Sequence, residues 1–358
     1  MSFPLLIPLK IIFISLCFAL FLPISLQAAM PDELYSAEVP VKSRDKDDFE
    51  AGLRKVLLKV LAKNSSSSRQ DILQNPSMAG DLESGHRYVE QFSYRAEDRP
   101  AVEGEDVQQL FLKASFPATV IRDFLQRGNL KLWPANRPTT LVLPIVNKGG
   151  ILMYSSDSRL NRYDIRRRIK DAANDKGIVS KVVNTRQLPG VSVNELWYWN
   201  IPAIKAATAE VKKDAVLVVR MAMTSDGSVR GGAILIENEK SSTFDVIGNN
   251  VNQFMQRLMA SLADSWSEQY SINLQHGGNE QLIIVDGIKN HQDYTQMMRF
   301  LETMDIVEQV YLVQAEAHRL SLSISLKTDT EQFERSLSMS KKFQRQASQA
   351  SAFHYHWQ

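Results

Sequence analysis

Cysteine is nearly absent from this sequence of 358 residues: the only one, Cys17, lies inside an apolar run near the N-terminus. Disulfide scaffolds, zinc sites built on thiolates and thiol catalysis are therefore excluded. An excess of charge is also missing, because 42 Lys and Arg residues face 40 Asp and Glu residues, for a formal net charge of +2. This balance argues against a dedicated nucleic-acid binder and against a polybasic membrane-surface protein.

The signature motifs of common enzymes are missing as well. The glycine pairs at 149–150, 231–232 and 277–278 fit neither a P-loop nor a Rossmann turn and are typical of turns or bulges. No G-x-S-x-G nucleophile elbow occurs, and no histidine sits in an H-E-x-x-H context. His354 and His356 could chelate a metal only as a weak two-ligand site near the chain end. We therefore expect no cofactor, no metal site and no catalytic residues.

The N-terminus has the pattern of a secretory signal peptide over residues 1–28. A short segment with one Lys is followed by an apolar run from Ile11 to Ile24 and by small residues at Ala28 and Ala29. This pattern predicts export to the periplasm. Neither Leu26 nor Gln27 is ideal three residues before a cut, so the alternative is an uncleaved inner-membrane anchor over residues 11–30.

The remaining chain divides into three blocks, which predict an α/β (α+β) fold. Residues 34–133 read as a βαββα domain, residues 137–272 as a mixed, partly parallel α/β sheet domain, and residues 279–338 as a ferredoxin-like βαββα unit. The clearest strand is Arg319 to Leu326, where Leu or Ile alternates with Ser. Residues 339–358 are polar and poor in spaced apolar residues, which predicts a disordered tail.

Three local predictions in the middle block depend on helix and turn signals. Apolar residues at helical spacing predict one helix over residues 159–175 and another over residues 197–212. Asp226-Gly227 predicts a hairpin turn between strands at 214–223 and 229–237.

Several short, collinear segments resemble the DUF2066 family of exported proteobacterial proteins. They span roughly residues 34–337 and comprise Tyr35–Val41, Leu57–Val60, Tyr88–Tyr94, Arg137–Leu143, Asp214–Arg220, Val285–Ile288 and Asp293-Tyr294. The chain departs from the family at Pro144, where a tryptophan is common. The resemblance implies an envelope-associated protein with no assigned activity, and it brings no catalytic residues.

Two clusters are candidate binding residues. Arg166, Arg167 and Arg168 could attract an anion, although the helical period spreads them around an outer face, which favours a solvated surface. Trp197, Tyr198 and Trp199 cannot all enter one core, so we expect at least one to face outward and suit a protein partner. Core packing of all three is the competing interpretation.

The sequence favours a non-catalytic periplasmic module that binds another envelope protein or component. We expect no nucleic-acid partner. We expect contact with the membrane only through the N-terminal segment, if that segment is uncleaved. The alternative is a hydrolase or a small-ligand-binding protein whose site assembles from scattered residues, because catalytic groups meet in space rather than in sequence.

Overall fold

The structure is a computed structural model that describes residues 33–99, 107–184, 188–274, 279–316, 318–346 and 353–358. The predicted signal peptide and the alternative anchor lie outside the described residues. No helix within these ranges is long and apolar enough to cross a membrane. The described residues hold ten α-helices and three sheets with some parallel pairing, which confirms the predicted α+β class.

The first block follows the predicted βαββα order. Its elements are β1 (Ser36–Val41), α1 (Lys46–Lys63), β2 (Gln91–Arg99), β3 (Val107–Ser115) and α4 (Ala118–Arg127), and the strands form an antiparallel sheet in the order β1-β3-β2. α1 buries a stripe that includes Leu53, Leu57 and Val60 against this sheet. Two short helices, α2 (Arg69–Gln74) and α3 (Ala79–Glu83), lie between α1 and β2, and α2 begins at a capping box formed by Ser68 and Asp71.

The middle block is built on a mixed sheet in which β4 and β7 are central. Its elements are β4 (Thr140–Lys148), β5 (Ile151–Tyr154), α5 (Ile165–Asp175), β6 (Ser180–Val182), α6 (Val193–Trp197), α7 (Ile201–Ala207), β7 (Ala215–Met223), β8 (Val229–Glu237), β9 (Lys240–Gly248) and α8 (Val251–Tyr270). The strand order is β5-β4-β7-β8-β9, with β6 also beside β4, and β4 pairs in parallel with both β6 and β7. The predicted hairpin between β7 and β8 is confirmed.

Both faces of this sheet are covered by helices. The side chains of α5 and α8 pack on one face, where Val142 and Leu217 point, and those of α6 and α7 pack on the other, where Leu141 and Val218 point. The continuous apolar sequence of β4 thus reflects burial on both sides.

Two predicted helices of this block are shorter than expected. The helix expected over residues 159–175 begins only at Ile165, because Asp164 adopts a left-handed backbone (φ 41°) that ends a 3₁₀ turn at Ser158–Tyr163. The helix expected over residues 197–212 is limited to α7, because α6 already ends at Trp197 and Tyr198 and Trp199 form a corner between the two helices.

The third block contains the predicted βαββα unit. Its elements are β10 (Asn279–Asp286), α9 (His291–Glu302), β11 (Val307–Glu316), β12 (Arg319–Leu326) and α10 (Thr330–Met339). β12 is antiparallel to both β10 and β11, and its four aliphatic side chains are buried, as the alternation predicts. This block shares one continuous core with the first block.

The prediction of a disordered tail over residues 339–358 is wrong for its described part. β13 (Phe343–Arg345) and β14 (Phe353–Trp357) extend the sheet to the order β11-β12-β10-β14-β13, with β14 parallel to β10. The physical reason is the alternation in β14: Tyr355 and Trp357 are buried with Phe343 in an aromatic cluster, while His354 and His356 take the other face.

Candidate functional site

The corner between α6 and α7 has an unusual backbone. Trp199 adopts a left-handed conformation (φ 56°), its N–H donates to the carbonyl of Leu196 (3.2 Å), and the N–H of Asn200 donates to that of Glu195 (2.9 Å). These two bonds define a Schellman motif, whose left-handed position is usually glycine. A tryptophan there costs roughly 1–2 kcal/mol. Its packing must therefore offset that cost.

The Trp199 ring packs inward and stabilises the corner. The guanidinium of Arg220, on β7, lies 3.7 Å from the ring centroid, and the ring contacts the apolar cluster under α6 and α7. Its indole Nε1 is buried and has no hydrogen-bond partner among the described residues. Trp197 is half-buried against the same cluster. Strain and an unpaired donor thus coincide at one corner, as is common at binding sites.

Tyr198 is the member of the aromatic trio that faces solvent, at 75% exposure. This agrees with the expectation that three adjacent aromatics cannot all enter one core. Because Trp197 and Trp199 are held on either side, the position of the Tyr198 backbone is fixed before any partner arrives. Pre-positioned tyrosines are favoured anchors at protein interfaces, since they bury a large ring at little cost in conformational entropy.

The three arginines at 166–168 do not converge on one point. Arg166 Nη2 donates to the carbonyl of Val182 (3.0 Å), and Arg168 Nε donates to that of Tyr163 (2.8 Å). Arg167 pairs with the Asp164 carboxylate (2.7 Å). Each guanidinium therefore has a different local partner, and the geometry offers no shared anion site.

A cavity of about 950 Å³ lies among α1, the segment that leads into α2, and helices α5 and α8. Its lining is polar and includes five cationic side chains, three carboxylates and four consecutive serines, namely Lys59, Lys63, Arg69, Lys176, Arg257, Asp71, Asp175, Asp264 and Ser65–Ser68. Part of this charge is already paired, because Lys59 Nζ lies 2.9 Å from Asp175. The lining contains no histidine.

Sequence reasoning missed two buried cations here: Lys63, which lines the cavity, and Arg137, which packs on the lining residue Trp133. Arg137 is stacked on the Trp133 ring at 3.8 Å and donates to carbonyl or amide oxygens of both neighbouring blocks. Burial lowers its pKa to about 9. Lys63 Nζ donates to the carbonyls of Glu33 (2.8 Å) and Ser36 (2.9 Å), and burial lowers its pKa to about 7. These donors hold backbone segments together.

A third buried polar group joins the first block to the third. The Asp305 carboxylate accepts from Arg122 Nη1 (3.1 Å) and from the Ala135 N–H (2.9 Å). Burial, reinforced by the charge of Asp305, raises the pKa of the Tyr35 phenol above its ordinary value. All these groups are satisfied within the fold, which indicates a structural role.

One of the two histidines of β14, His354, pairs with a carboxylate of β10. His354 Nε2 lies 2.6 Å from an Asp286 carboxylate oxygen, and the same carboxylate pairs with Arg319 (2.8 Å). Across the part of the chain that the structure describes, no group of three potential metal ligands occurs.

Comparison with known proteins matches one family model, a domain of unknown function (DUF8605), over residues 28–134. The matched segment contains the first block and covers under a third of the chain. The proposed likeness to DUF2066 is wrong, because the matching family is a different one. No curated protein gives a significant match. The similarity therefore brings neither an activity nor site residues.

Proposed function

We propose that this protein is a non-catalytic binding module of the cell envelope that engages another envelope protein through the corner at Tyr198 and Trp199. The observation that carries the proposal is the left-handed Trp199, which occupies a glycine position while the adjacent Tyr198 is 75% exposed. Strained backbone persists where the surrounding structure over-determines it, and such positions cluster at ligand contacts. The N-terminal pattern supports export to the periplasm, with an uncleaved anchor over residues 11–30 as the alternative.

A crosslinking pull-down from the native envelope tests this proposal. Tyr198→Ser removes the exposed ring and touches no buried side chain, whereas Ile151→Ser removes a 54% exposed side chain from β5 of the same block. We expect one recurrent partner with the unmodified protein and the Ile151 variant, and at least a tenfold loss with the Tyr198 variant. Equal recovery with both variants would reject the corner as the binding surface.

The intact mass of the recovered chain tests localisation in the same experiment. A mass that begins near Ala29 supports a cleaved, periplasmic protein, and a full-length mass supports an anchored one.

Small-ligand binding is the second candidate, because the cavity beside α1 has the size of a ligand site and more cations than carboxylates. Thermal-shift measurements with inorganic phosphate and with succinate test it. A concentration-dependent rise in melting temperature that Arg257→Ala removes would support the cavity as a site. A ligand concentration of 10 mM is on the order of ten times the Kd of a millimolar binder, so the absence of a shift at that concentration would reject the cavity as a site for these anions.

A further inference from the structure

Among the described residues, β11 is a free sheet edge, and its protection is limited to two register shifts against β12. It is ten residues long and forms one end of its five-stranded sheet. Three consecutive apolar side chains on it are exposed: Tyr311 by 50%, Leu312 by 44% and Val313 by 59%. The strand contains no Lys, Arg or Pro, the residues with which proteins usually block edge pairing.

The other edges of the described sheets differ from β11 in this respect. β9, of similar length, begins with Lys240 and is polar over Ser241–Thr243. β2 carries Arg95 and Glu97, and β1 is short and contains Pro40. β5 and β13 have only four and three residues. The apolar edge of β11 is thus an exception among the sheet edges that the structure describes.

We propose that β11 accepts an extended segment of another protein as an added strand, and that this segment has an apolar centre flanked by Lys or Arg. Such β-augmentation uses the unpaired backbone groups of the edge for affinity and the side chains for specificity. The only charges on β11 are Glu308 and Glu316, which flank the apolar centre. Basic residues opposite them would form favourable cross-strand pairs.

The same charges disfavour a second copy of this chain as the occupant. An antiparallel pair of β11 strands centred on Leu312 would place Glu308 opposite Glu316 of the other copy, twice over. Like charges directly opposed across strands are destabilising. The register of β11 against β12 shifts at Glu308 and at Val313, so an added strand pairs regularly with Gln309–Leu312, and its basic residues reach Glu308 and Glu316 beyond that stretch.

Two fluorescein-labelled peptides test the proposal on the full chain by fluorescence anisotropy. One has the sequence Lys-Thr-Val-Val-Ile-Val-Thr-Val-Lys, and the other has Glu in place of both Lys. We expect the Lys peptide to bind roughly tenfold more tightly, with a preference that salt weakens. The double variant Glu308→Lys, Glu316→Lys should reverse the preference.

Matched variants locate the binding. Leu312→Asp should abolish binding of the Lys peptide, whereas Ile247→Asp, at an even more exposed position on the polar edge strand β9, should leave it unchanged. Tyr198→Ser should also leave it unchanged, so a failure of the corner leaves this result intact. Three results would overturn the proposal: equal affinities of the two peptides, binding of the Lys peptide that survives Leu312→Asp, and no binding of either peptide at 1 mM. A Kd of 1 mM is on the order of the weakest specific affinities. A dimer in sedimentation that Leu312→Asp disperses would also overturn it, because a second copy would then occupy the edge.

Discussion

Replacement of Arg137 by Met tests how the buried junction between blocks is stabilised. The guanidinium donates to the carbonyls of Pro134, Gly177, Lys63 and Trp133 and to the side-chain amide oxygen of Asn64, at 2.7–3.3 Å. Methionine has a similar length but no donor, so the variant leaves these acceptors buried and unpaired. Unpaired buried acceptors lower the free energy of unfolding.

The size of the loss follows from two opposing contributions. Five hydrogen bonds from a charged donor, at the lower limit of about 1.5 kcal/mol each, stabilise the fold by roughly 7 kcal/mol. Burial of the charged group opposes them by several kcal/mol, in the direction that the lowered pKa of Arg137 indicates. With the contact to the Trp133 ring included, we expect Arg137→Met to cost about 3 kcal/mol.

Thermal and urea unfolding followed by circular dichroism measure this loss. A cost of about 3 kcal/mol corresponds to a decrease in Tm of roughly 4–5 °C for a protein of this size. Arg54→Met is the matched control, since Arg54 is exposed on α1, and it should change stability by less than about 0.5 kcal/mol. If Arg137→Met unfolds within about 1 °C of the unmodified protein, the buried hydrogen bonds do not hold the junction.

Three further predictions concern pH dependence and the surface corner. Between pH 7 and 9 the unfolded chain keeps a proton on Lys63 that the folded chain releases, so the free energy of unfolding rises with pH. Urea titrations at several pH values should show a smaller rise for Lys63→Met. Arg319 holds the pKa of the Asp286 carboxyl below its ordinary value, with a smaller effect of His354, so this group stabilises the fold above about pH 4 and the stabilisation disappears as pH falls further. Asp286→Asn should therefore show a shallower acid-unfolding curve, and an identical curve would contradict the pairing. Tyr198→Ser should keep Tm within about 1 °C, because its side chain is exposed; a larger decrease would mean that the ring packs against the fold.

The sequence predicted those elements whose side-chain pattern reflects burial on a single face. The alternation in Arg319–Leu326 gave the bounds of β12, and Asp226-Gly227 located the turn between β7 and β8. β9 was missed because an edge strand exposed along most of its length carries no apolar alternation. β14 was missed because histidines alternate with its aromatic residues and the preceding segment is polar, so the alternation does not resemble that of a buried strand. The aromatic residues of β14 are nevertheless buried or half-buried.

The candidate site was only partly accessible to sequence reasoning. Three adjacent aromatics indicated that one of them faces solvent, and Tyr198 does. The corner itself could not be predicted, because a left-handed helix terminus is usually signalled by glycine and here carries Trp199. Arg137 and Lys63 resemble surface residues in sequence, and only the meeting of segments distant along the chain buries them.

The most direct test of the central claim places a photoreactive phenylalanine analogue at position 198 in the native cell. The account predicts that illumination yields a discrete adduct with one envelope protein, and that the same analogue at Ile151, also exposed, does not yield it. If position 198 gives no adduct, or the same adducts as position 151, the corner at Tyr198 and Trp199 is not a binding surface.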